Sequence, residues 1–584
     1  MKSRLAALVL LASACRQDAG SDSPAGGSTD DELGESSESV AELPDLPDDD
    51  ASTGETETGD PACLDPQPCR ACECVAGEWA CECPTIEPEA GFVTIEARDY
   101  SLSLPGDPPT PLSADGHRQF LAFRPADEDP EHAPIFVLFN GGPAVSTGML
   151  LGLNLGPWTF APAATAGEDL AANPHSWTSL GNLLWIDAHH VGFSYSLLDD
   201  PSDPLARQAA LSFANFNAYL DAADFVRVLL EFLATHAELR DNPVVVVGES
   251  YGGTRAQLML DMLLHPQAYA SGERRMIDLD LTARIAAHHE QVLGEPAPTP
   301  ELAAEQFGRQ ILIQPALTGV IQQQSAGVLF EQPGSPLDQL ALEFGVDYVT
   351  CAEQQPPCTP YDNGLDFIGS LGRSPYDTRA PASWLEDLFA LVDQRCNDAA
   401  VIGQLLGVPL DAIVGASPAE RAQAWRTVDP TDYPSDAELG DLDRQLGALA
   451  PWDRYFLVFE YGTLAQFRGY QARQLDVEPA DPHYGEHLLR NLLWVDTLIT
   501  SADYDMVVHT PAIPAALAHY DAIVAAVAVE PGQWTIDYRP DAFAQWPDPG
   551  ARTLRVPSYA ASHAVSMDAP AQLLADVDAW LNEP

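Results

Sequence analysis

The chain has 584 residues, of which 46% are hydrophobic, and a formal net charge of -59 from 87 acidic and 28 basic residues. This length exceeds a single compact core, so we expect two or more folding units or one large domain with insertions. The acidic excess argues against binding nucleic acid or anionic membrane surfaces through charge. It favours solubility in an extracellular or salt-rich setting over an acidic partner-binding role.

The N-terminus has the pattern of an export signal. Lys2 and Arg4 precede a short apolar run that ends in small residues. The run is too short to span a membrane, so residues 1–15 are predicted to be a signal peptide. Its end is similar to a bacterial lipobox, in which Cys15 would be acylated and become a membrane anchor, the only membrane contact we expect. Ordinary secretion is the alternative, and either route permits disulfides.

Two segments without a large core follow. Residues 16–61 are mostly Gly, Ser, Thr, Asp and Glu, which predicts a disordered acidic linker. Residues 62–85 hold six cysteines, which predict a small disulfide module of undetermined connectivity. CxxC and CxC pairs make a zinc site the rival, but export and the absence of a nearby histidine favour disulfides. The six are Cys63, Cys69, Cys72, Cys74, Cys81 and Cys83.

Predicted strands alternate with helical patterns in residues 90–324 and again in 486–584. The helical pattern at 217–239 leads into four consecutive valines at 244–247, which are typical of a strand buried on both faces of a parallel sheet. The alternation predicts an α/β fold, with a mostly parallel sheet and helices on both faces. The other predicted strands are 118–123, 134–139, 183–187, 310–314, 497–501 and 553–556.

Residues 325–485 interrupt this alternation with proline-rich turns and separate helical patterns. We interpret them as an inserted lid or cap, folded over the sheet edge where ligands approach. The insertion contains three cysteines. We predict that Cys351 and Cys358 pair and that Cys396 is unpaired.

The valine strand passes directly into the sequence G-x-S-x-G. Gly248 and Gly252 flank Ser250 at the two positions where a tight strand-to-helix turn would crowd a Cβ atom against the backbone. Ser250 would then expose its hydroxyl above the sheet, and the next helix would present amide donors to developing negative charge. For the pentapeptide alone, a serine in an ordinary βα loop is the alternative.

The C-terminal fifth supplies the partners that a serine nucleophile needs. In α/β-hydrolases the order along the chain is Ser, then Asp or Glu, then His. Asp503 and Asp505 follow one predicted strand, and His563 lies in a small-residue loop after another. A single acid or histidine is more often structural. All three in order, each after a predicted strand, favour a catalytic triad.

Several motifs together resemble the serine carboxypeptidase family of α/β-hydrolases, from about residue 101 to the C-terminus. Residues 140–143 resemble the start of the family's N-G-G-P-G-C-S-S, and residues 173–196 follow its N-P-x-S-W, N-x-L-F-x-D and V-G-x-G-F-S-Y-S run. Residues 248–253 match G-E-S-Y-G-G, and residues 562–563 resemble its G-H. The resemblance implies an α/β-hydrolase fold and a carboxypeptidase that acts on peptides without metal or other cofactor.

The resemblance also implies a role for each matching residue. Ser250 would attack the scissile carbonyl, His563 would take and return the proton, and Asp505 would hold the imidazole tautomer. The backbone amides of Gly142 and Tyr251 would form the oxyanion hole. The terminal carboxylate of the substrate would be bound by Asn140, Gly141, Glu249 and Asn154.

Glu249 can donate a hydrogen bond to a carboxylate only while it is protonated, because two like charges about 3 Å apart cannot both stay ionised. Asn154 stands where the family usually has a second glutamate that shares this proton. An amide donates without a proton, so we expect carboxylate binding to persist to higher pH than in relatives. Ala144 and Val145 replace the family's Gly-Cys, so the disulfide usual at that point is absent.

Two other functions stay open. The same scaffold could serve another hydrolase, such as an esterase, or an acyltransferase, since fold and triad do not fix the acceptor. The expected substrate is therefore a peptide or a small acyl compound. The other alternative is a non-catalytic surface binding protein that binds through its Cys-rich module, and an intact triad argues against it.

Overall fold

A computed structural model provides the structure of this protein. It describes residues 73–75, 78–80, 86–103, 108–142, 145–160, 170–189, 191–197, 214–316, 330–354, 358, 360–384, 387–388, 399–409, 424–425, 491–492, 494–508, 513 and 552–582. The predicted signal peptide, Cys15 and the predicted linker lie outside these residues. Within the predicted Cys-rich module, the structure describes the backbone of Glu73–Val75 and Glu78–Ala80, which pair as antiparallel strands.

The described part of the chain is built around a ten-stranded mixed sheet. At its centre, the strand Val244–Glu249 runs parallel to Ile135–Phe139 on one side and to Arg309–Ile313 on the other. Across the sheet the strands follow the order Ala424–Trp425, Tyr195–Leu197, His117–Arg124, Asn182–Ile186, Ile135–Phe139, Val244–Glu249, Arg309–Ile313, Asp496–Ile499 and Leu554–Arg555, and Glu89–Ile95 also pairs with His117–Arg124.

Smaller sheets and the helices surround this sheet. The smaller strands are Arg98–Leu102, Thr110–Ala114, Trp158–Phe160, Leu170–Ala172, Met276–Ile277, Ser501–Ala502 and Ser558–Tyr559. The α-helices are Gly148–Leu150, Ala218–Thr235, Gly252–Leu264, Pro266–Ser271, Leu279–Leu293, Pro300–Phe307, Pro336–Phe344, Pro360–Ser370, Ala399–Leu406, Val565–Asp568 and Pro570–Leu581. A π-helix, Leu151–Leu155, continues the first of them, and Trp177–Ser179 is a 3-10 turn.

The four valines of the central strand show why the sheet is covered on both faces. Val244 and Val246 belong to one hydrophobic cluster with the helices Ala218–Thr235 and Gly252–Leu264. Val245 and Val247 belong to a second cluster on the opposite face, with the helix Pro570–Leu581. All four valine side chains are 0% exposed, because alternate residues of a strand point to opposite faces. This architecture is an α/β-hydrolase fold, as the sequence predicted.

The described part of the predicted insertion includes the helices Pro336–Phe344 and Pro360–Ser370, which share a small cluster of buried apolar side chains. Cys351 and Cys358 are joined by a disulfide, whereas Cys396 lies outside the described residues. Both predicted limits of the insertion also lie outside them, so its extent stays a prediction. The described helices include none with the length and apolar character needed to span a membrane.

Candidate active site

Ser250 occupies a sharp turn between the central strand and the helix Gly252–Leu264. Its φ is 59°, in the left-handed region that a residue with a side chain rarely adopts. The turn is held because the Ser250 amide donates to the Ile313 carbonyl at 2.9 Å, and the Ser250 carbonyl accepts from Ala316 N at 2.8 Å. A Cβ atom on Gly248 would overlap the Gly252 carbonyl group. The chain therefore passes through this turn only with glycine at that position.

Asp505 and His563 meet although 58 residues separate them. Asp505 Oδ2 lies 2.8 Å from His563 Nδ1, and the Asp505 side chain is fully buried. Asp505 Oδ1 also accepts a bond from Val507 N at 3.2 Å, which fixes the carboxylate in its loop. With Nδ1 turned to the acid, Nε2 is the ring nitrogen left to exchange a proton with a reacting group. Asp503 instead accepts a bond from Ser558 Oγ at 2.9 Å, so the structure separates the two aspartates.

The charges around His563 favour its protonated form. Burial lowers the pKa of His563, but the nearby carboxylates of Asp505 and Glu249 outweigh burial, and the pKa is raised above its ordinary value of 6.5. Glu249 directly precedes Ser250, so the turn, the imidazole and the acid share one site. An imidazolium stabilised by a buried acid is what a general base needs while it holds the serine proton.

The loop that follows the strand Ile135–Phe139 packs directly against the Ser250 turn. A Cβ atom on Gly141 would lie 2.7 Å from Ser250 Cβ and closer still to Tyr251 N, so glycine alone allows this approach. Gly142 has a φ of 105°, which also favours glycine. The predicted oxyanion donors, the amides of Gly142 and Tyr251, thus belong to two backbone segments in contact. Pro143 and Ala144 lie outside the described residues.

Asn140 and Glu249 form a buried polar pair beside the turn, and each side chain is 3% exposed. Asn140 Nδ2 donates to Glu249 Oε2 at 3.3 Å, and Asn140 Oδ1 accepts from Leu150 N at 3.3 Å. Burial raises the pKa of Glu249 to about 7; His563 opposes this rise, Asp505 adds to it, and the Asn140 hydrogen bond opposes it. A protonated Glu249 is therefore the favoured form at acidic pH, and it can donate a hydrogen bond.

Asn154 lies within the π-helix Leu151–Leu155, at a kink where the backbone of Leu153 and Asn154 departs from helical geometry. Its φ of 73° is left-handed, a conformation that asparagine tolerates better than most residues with a side chain. The backbone here thus gives a local reason for asparagine besides the carboxylate-binding role that the sequence suggested. That role stays a prediction.

Arg255 was not among the residues predicted from the sequence, but its buried side chain supports the backbone of the site at Asn140. Its side chain is 1% exposed, its Nε donates to Asp221 Oδ2 at 2.7 Å, and a terminal nitrogen donates to the Asn140 carbonyl at 2.6 Å. The guanidinium also lies 4.3 Å from the centre of the Phe225 ring. Burial outweighs the attraction of Arg255 and raises the pKa of Asp221. The available signal was an arginine within an apolar helix next to the serine.

Comparisons with known proteins match part of the chain. Residues 111–274 match the family model described as serine carboxypeptidase. A venom serine carboxypeptidase from Apis mellifera is 28% identical over 172 residues, and serine carboxypeptidase-like 14 from Arabidopsis thaliana is 32% identical over 145 residues. The matches cover 30% and 24% of this chain, respectively, and 30% of each relative, so the chain spans under a third of their length. A solved prohormone-processing carboxypeptidase from Saccharomyces cerevisiae aligns over 85% of this chain and 91% of its own, with 14% identity and a TM-score of 0.46.

Proposed function

Because residues 111–274 match the family model of the serine carboxypeptidases, we propose that this protein is a serine carboxypeptidase that hydrolyses C-terminal peptide bonds through an acyl-enzyme. The observation that carries the proposal is the buried Asn140–Glu249 pair beside the Asp505–His563 contact. The pair offers two groups that can donate to a carboxylate next to a general base. A general esterase has no need of such a pair.

Each residue of the site has a defined step in the proposed mechanism. Ser250 Oγ attacks the scissile carbonyl while His563 Nε2 removes its proton, and Asp505 stabilises the imidazolium that forms. The amides of Gly142 and Tyr251 donate to the oxyanion of the tetrahedral intermediate. His563 then gives its proton to the departing amine, which leaves an ester on Ser250. Water, deprotonated by His563, hydrolyses that ester and restores the free serine.

Recognition of the terminal carboxylate is proposed for Asn140 and Glu249, with Gly141 and Asn154 beside them. Protonated Glu249 donates to the substrate carboxylate, whereas ionised Glu249 repels it. The pKa of Glu249, raised to about 7, therefore supports binding of the substrate carboxylate at acidic and neutral pH and loss of that binding at higher pH. This recognition would restrict the enzyme to the last peptide bond, because an internal peptide has no carboxylate at that place.

Two assays test the proposal. A fluorophosphonate should label the wild-type protein and should fail to label Ser250→Ala, since it reacts with an activated serine. An unlabelled wild type would exclude any serine hydrolase and leave the non-catalytic binding protein. The second assay compares hydrolysis of a blocked dipeptide with that of its C-terminal amide. Equal rates would remove the carboxylate role from Asn140 and Glu249 and favour an esterase or acyltransferase.

Export is also part of the proposal. The basic, apolar and small-residue pattern of residues 1–15 supports it, and one matched relative is named as a venom protein. The finer proposal, a bacterial cell-envelope lipoprotein anchored through Cys15, rests on the lipobox-like end of that segment. Incorporation of labelled palmitate into the wild-type protein, and its loss in Cys15→Ala, would test the anchor.

A further inference from the structure

Residues 374–379, in the predicted insertion, lie across both loops that carry the proposed acid and base. We call these six residues the strap. The Pro375 carbonyl accepts from Met506 N at 2.8 Å, and Thr378 N donates to the Tyr504 carbonyl at 3.2 Å. These two bonds hold the residues on either side of Asp505. The strap therefore fixes the backbone of the acid loop at two points.

Tyr376 makes the corresponding contacts with the base. Its carbonyl accepts a hydrogen bond from His563 N at 2.8 Å. Its ring also meets the His563 imidazole edge to face, with the ring centres 5.2 Å apart and an angle of 75° between the planes. One residue thus holds both the backbone and the ring of His563, and the ring contact limits rotation of the imidazole.

Arg379 ties the end of the strap to the base loop. Its guanidinium pairs with Asp377 through two bonds of 2.9 and 3.0 Å and with Asp568 at 2.8 Å. The same Asp568 Oδ2 accepts from Ser562 N at 2.7 Å, directly before His563. Arg379 also lies 4.2 Å from the centre of the Tyr504 ring, directly before Asp505. The Arg379 guanidinium therefore contacts Tyr504, directly before Asp505, and reaches Ser562, directly before His563, through Asp568.

The strap is also closed on itself. Ser374 N donates to the Ala380 carbonyl at 3.0 Å, and Ala382 N donates to the Gly372 carbonyl at 2.9 Å, so the segment is a compact loop. The Ser374 side chain is fully buried. A preformed loop can fix the loops it contacts, because its own order does not have to be created during the reaction.

We propose that the strap is a positioning element of the active site, in which Tyr376 and Arg379 hold Asp505 and His563 in register. Asp505 and His563 follow different strands, so their contact depends on the two loops keeping one relative position. Displacement of a catalytic group by about 1 Å can cost on the order of 100-fold in rate. The inference rests on the proposed triad and adds to it a contribution from the insertion.

The first test measures kcat and KM on a blocked dipeptide for Tyr376→Ala, Tyr376→Phe and Arg379→Met. Tyr376→Ala and Arg379→Met should lower kcat by about 10- to 100-fold, with KM within about twofold because the strap contacts described above reach the Asp505 and His563 loops. Tyr376→Phe keeps the ring contact and should therefore retain more of kcat than Tyr376→Ala. Arg284→Met removes an exposed arginine that pairs with Asp280 at 2.9 Å and is the matched control.

The second test does not require turnover. The imidazole of His563 is titrated by NMR and identified by its absence in His563→Gln. Tyr376→Ala and Arg379→Met should lower the pKa of His563, because a looser loop weakens its contact with Asp505, and Arg284→Met should leave it unchanged. If Tyr376→Ala does not fold, Arg379→Met, whose side chain is half-exposed, decides the question.

The outcomes separate the two proposals. If both strap variants keep wild-type kcat, or if they change KM alone, the positioning role is wrong even when Ser250 is active. If the wild type is neither labelled by fluorophosphonate nor active on peptides, the proposed function is wrong. The pKa of His563 then still decides whether the strap holds the Asp505–His563 contact. An unchanged pKa in both Tyr376→Ala and Arg379→Met would overturn the positioning role.

Discussion

Replacement of Glu249 by glutamine removes a buried carboxyl group whose ionisation is unfavourable in the folded protein. Burial raises the pKa of Glu249 from its ordinary 4.5 to about 7. At about 1.4 kcal/mol per pH unit, this rise corresponds to roughly 3 kcal/mol between the protonated and ionised forms. Glutamine has nearly the same shape and stays neutral at every pH. The substitution therefore isolates the cost of ionising this one carboxyl group.

The sign follows from proton binding in the two states. Between pH 4.5 and about 7 the folded protein keeps the proton that the unfolded chain has released. The free energy of unfolding therefore falls as pH rises through this window, with no penalty below it and the full penalty above it. Relative to wild type, Glu249→Gln should gain roughly 3 kcal/mol in the free energy of unfolding between pH 4.5 and pH 8.

Urea unfolding of both proteins at several pH values measures this difference. Glu290→Gln makes the same substitution at an exposed carboxyl group on the helix Leu279–Leu293 and is the matched control. Activity gives a second measurement. Wild-type kcat/KM for a blocked dipeptide should fall above about pH 7, and Glu249→Gln should lack that fall. A Glu249→Gln stability difference that is constant from pH 4.5 to pH 8 would refute the reasoning.

Three further predictions concern the surroundings of the serine. Gly141→Ala should lower kcat by about 100-fold or more, because its Cβ would displace the Ser250 turn; Gly91→Ala, where a Cβ meets nothing within 4 Å, should have no effect. Arg255→Met should cost about 3–5 kcal/mol in urea unfolding, since it leaves Asp221 buried without its ion pair; a double variant with Asp221→Asn should recover part of this loss. Asn154→Glu should shift the alkaline limb of the kcat/KM profile to lower pH, and identical profiles for variant and wild type would contradict the amide-donor hypothesis.

Local sequence determined much of the fold and the identity of the proposed nucleophile. Four consecutive valines predicted a strand buried on both faces, and the structure buries them alternately against two helix layers. The glycine at 248 reflects a steric demand within a few residues, so the sequence displays it directly. Strands were missed where this signal is weak. Glu89–Ile95 is mostly half-exposed, so its residues lack the apolar run of the central strands.

Only the tertiary structure determined how distant segments support the site. In the sequence, Arg255 is a charged residue within an apolar helix, and no local pattern explains it. The structure shows that its guanidinium binds Asp221 and the Asn140 carbonyl. Tyr376 and Arg379 lie over 100 residues before Asp505, and no local pattern connects them to it. Such contacts depend on the pairing of strands far apart in the chain and on backbone carbonyls, which every residue carries. The amino-acid sequence thus predicts a nucleophilic serine, whereas the packing of loops against one another decides what holds its proposed partners in place.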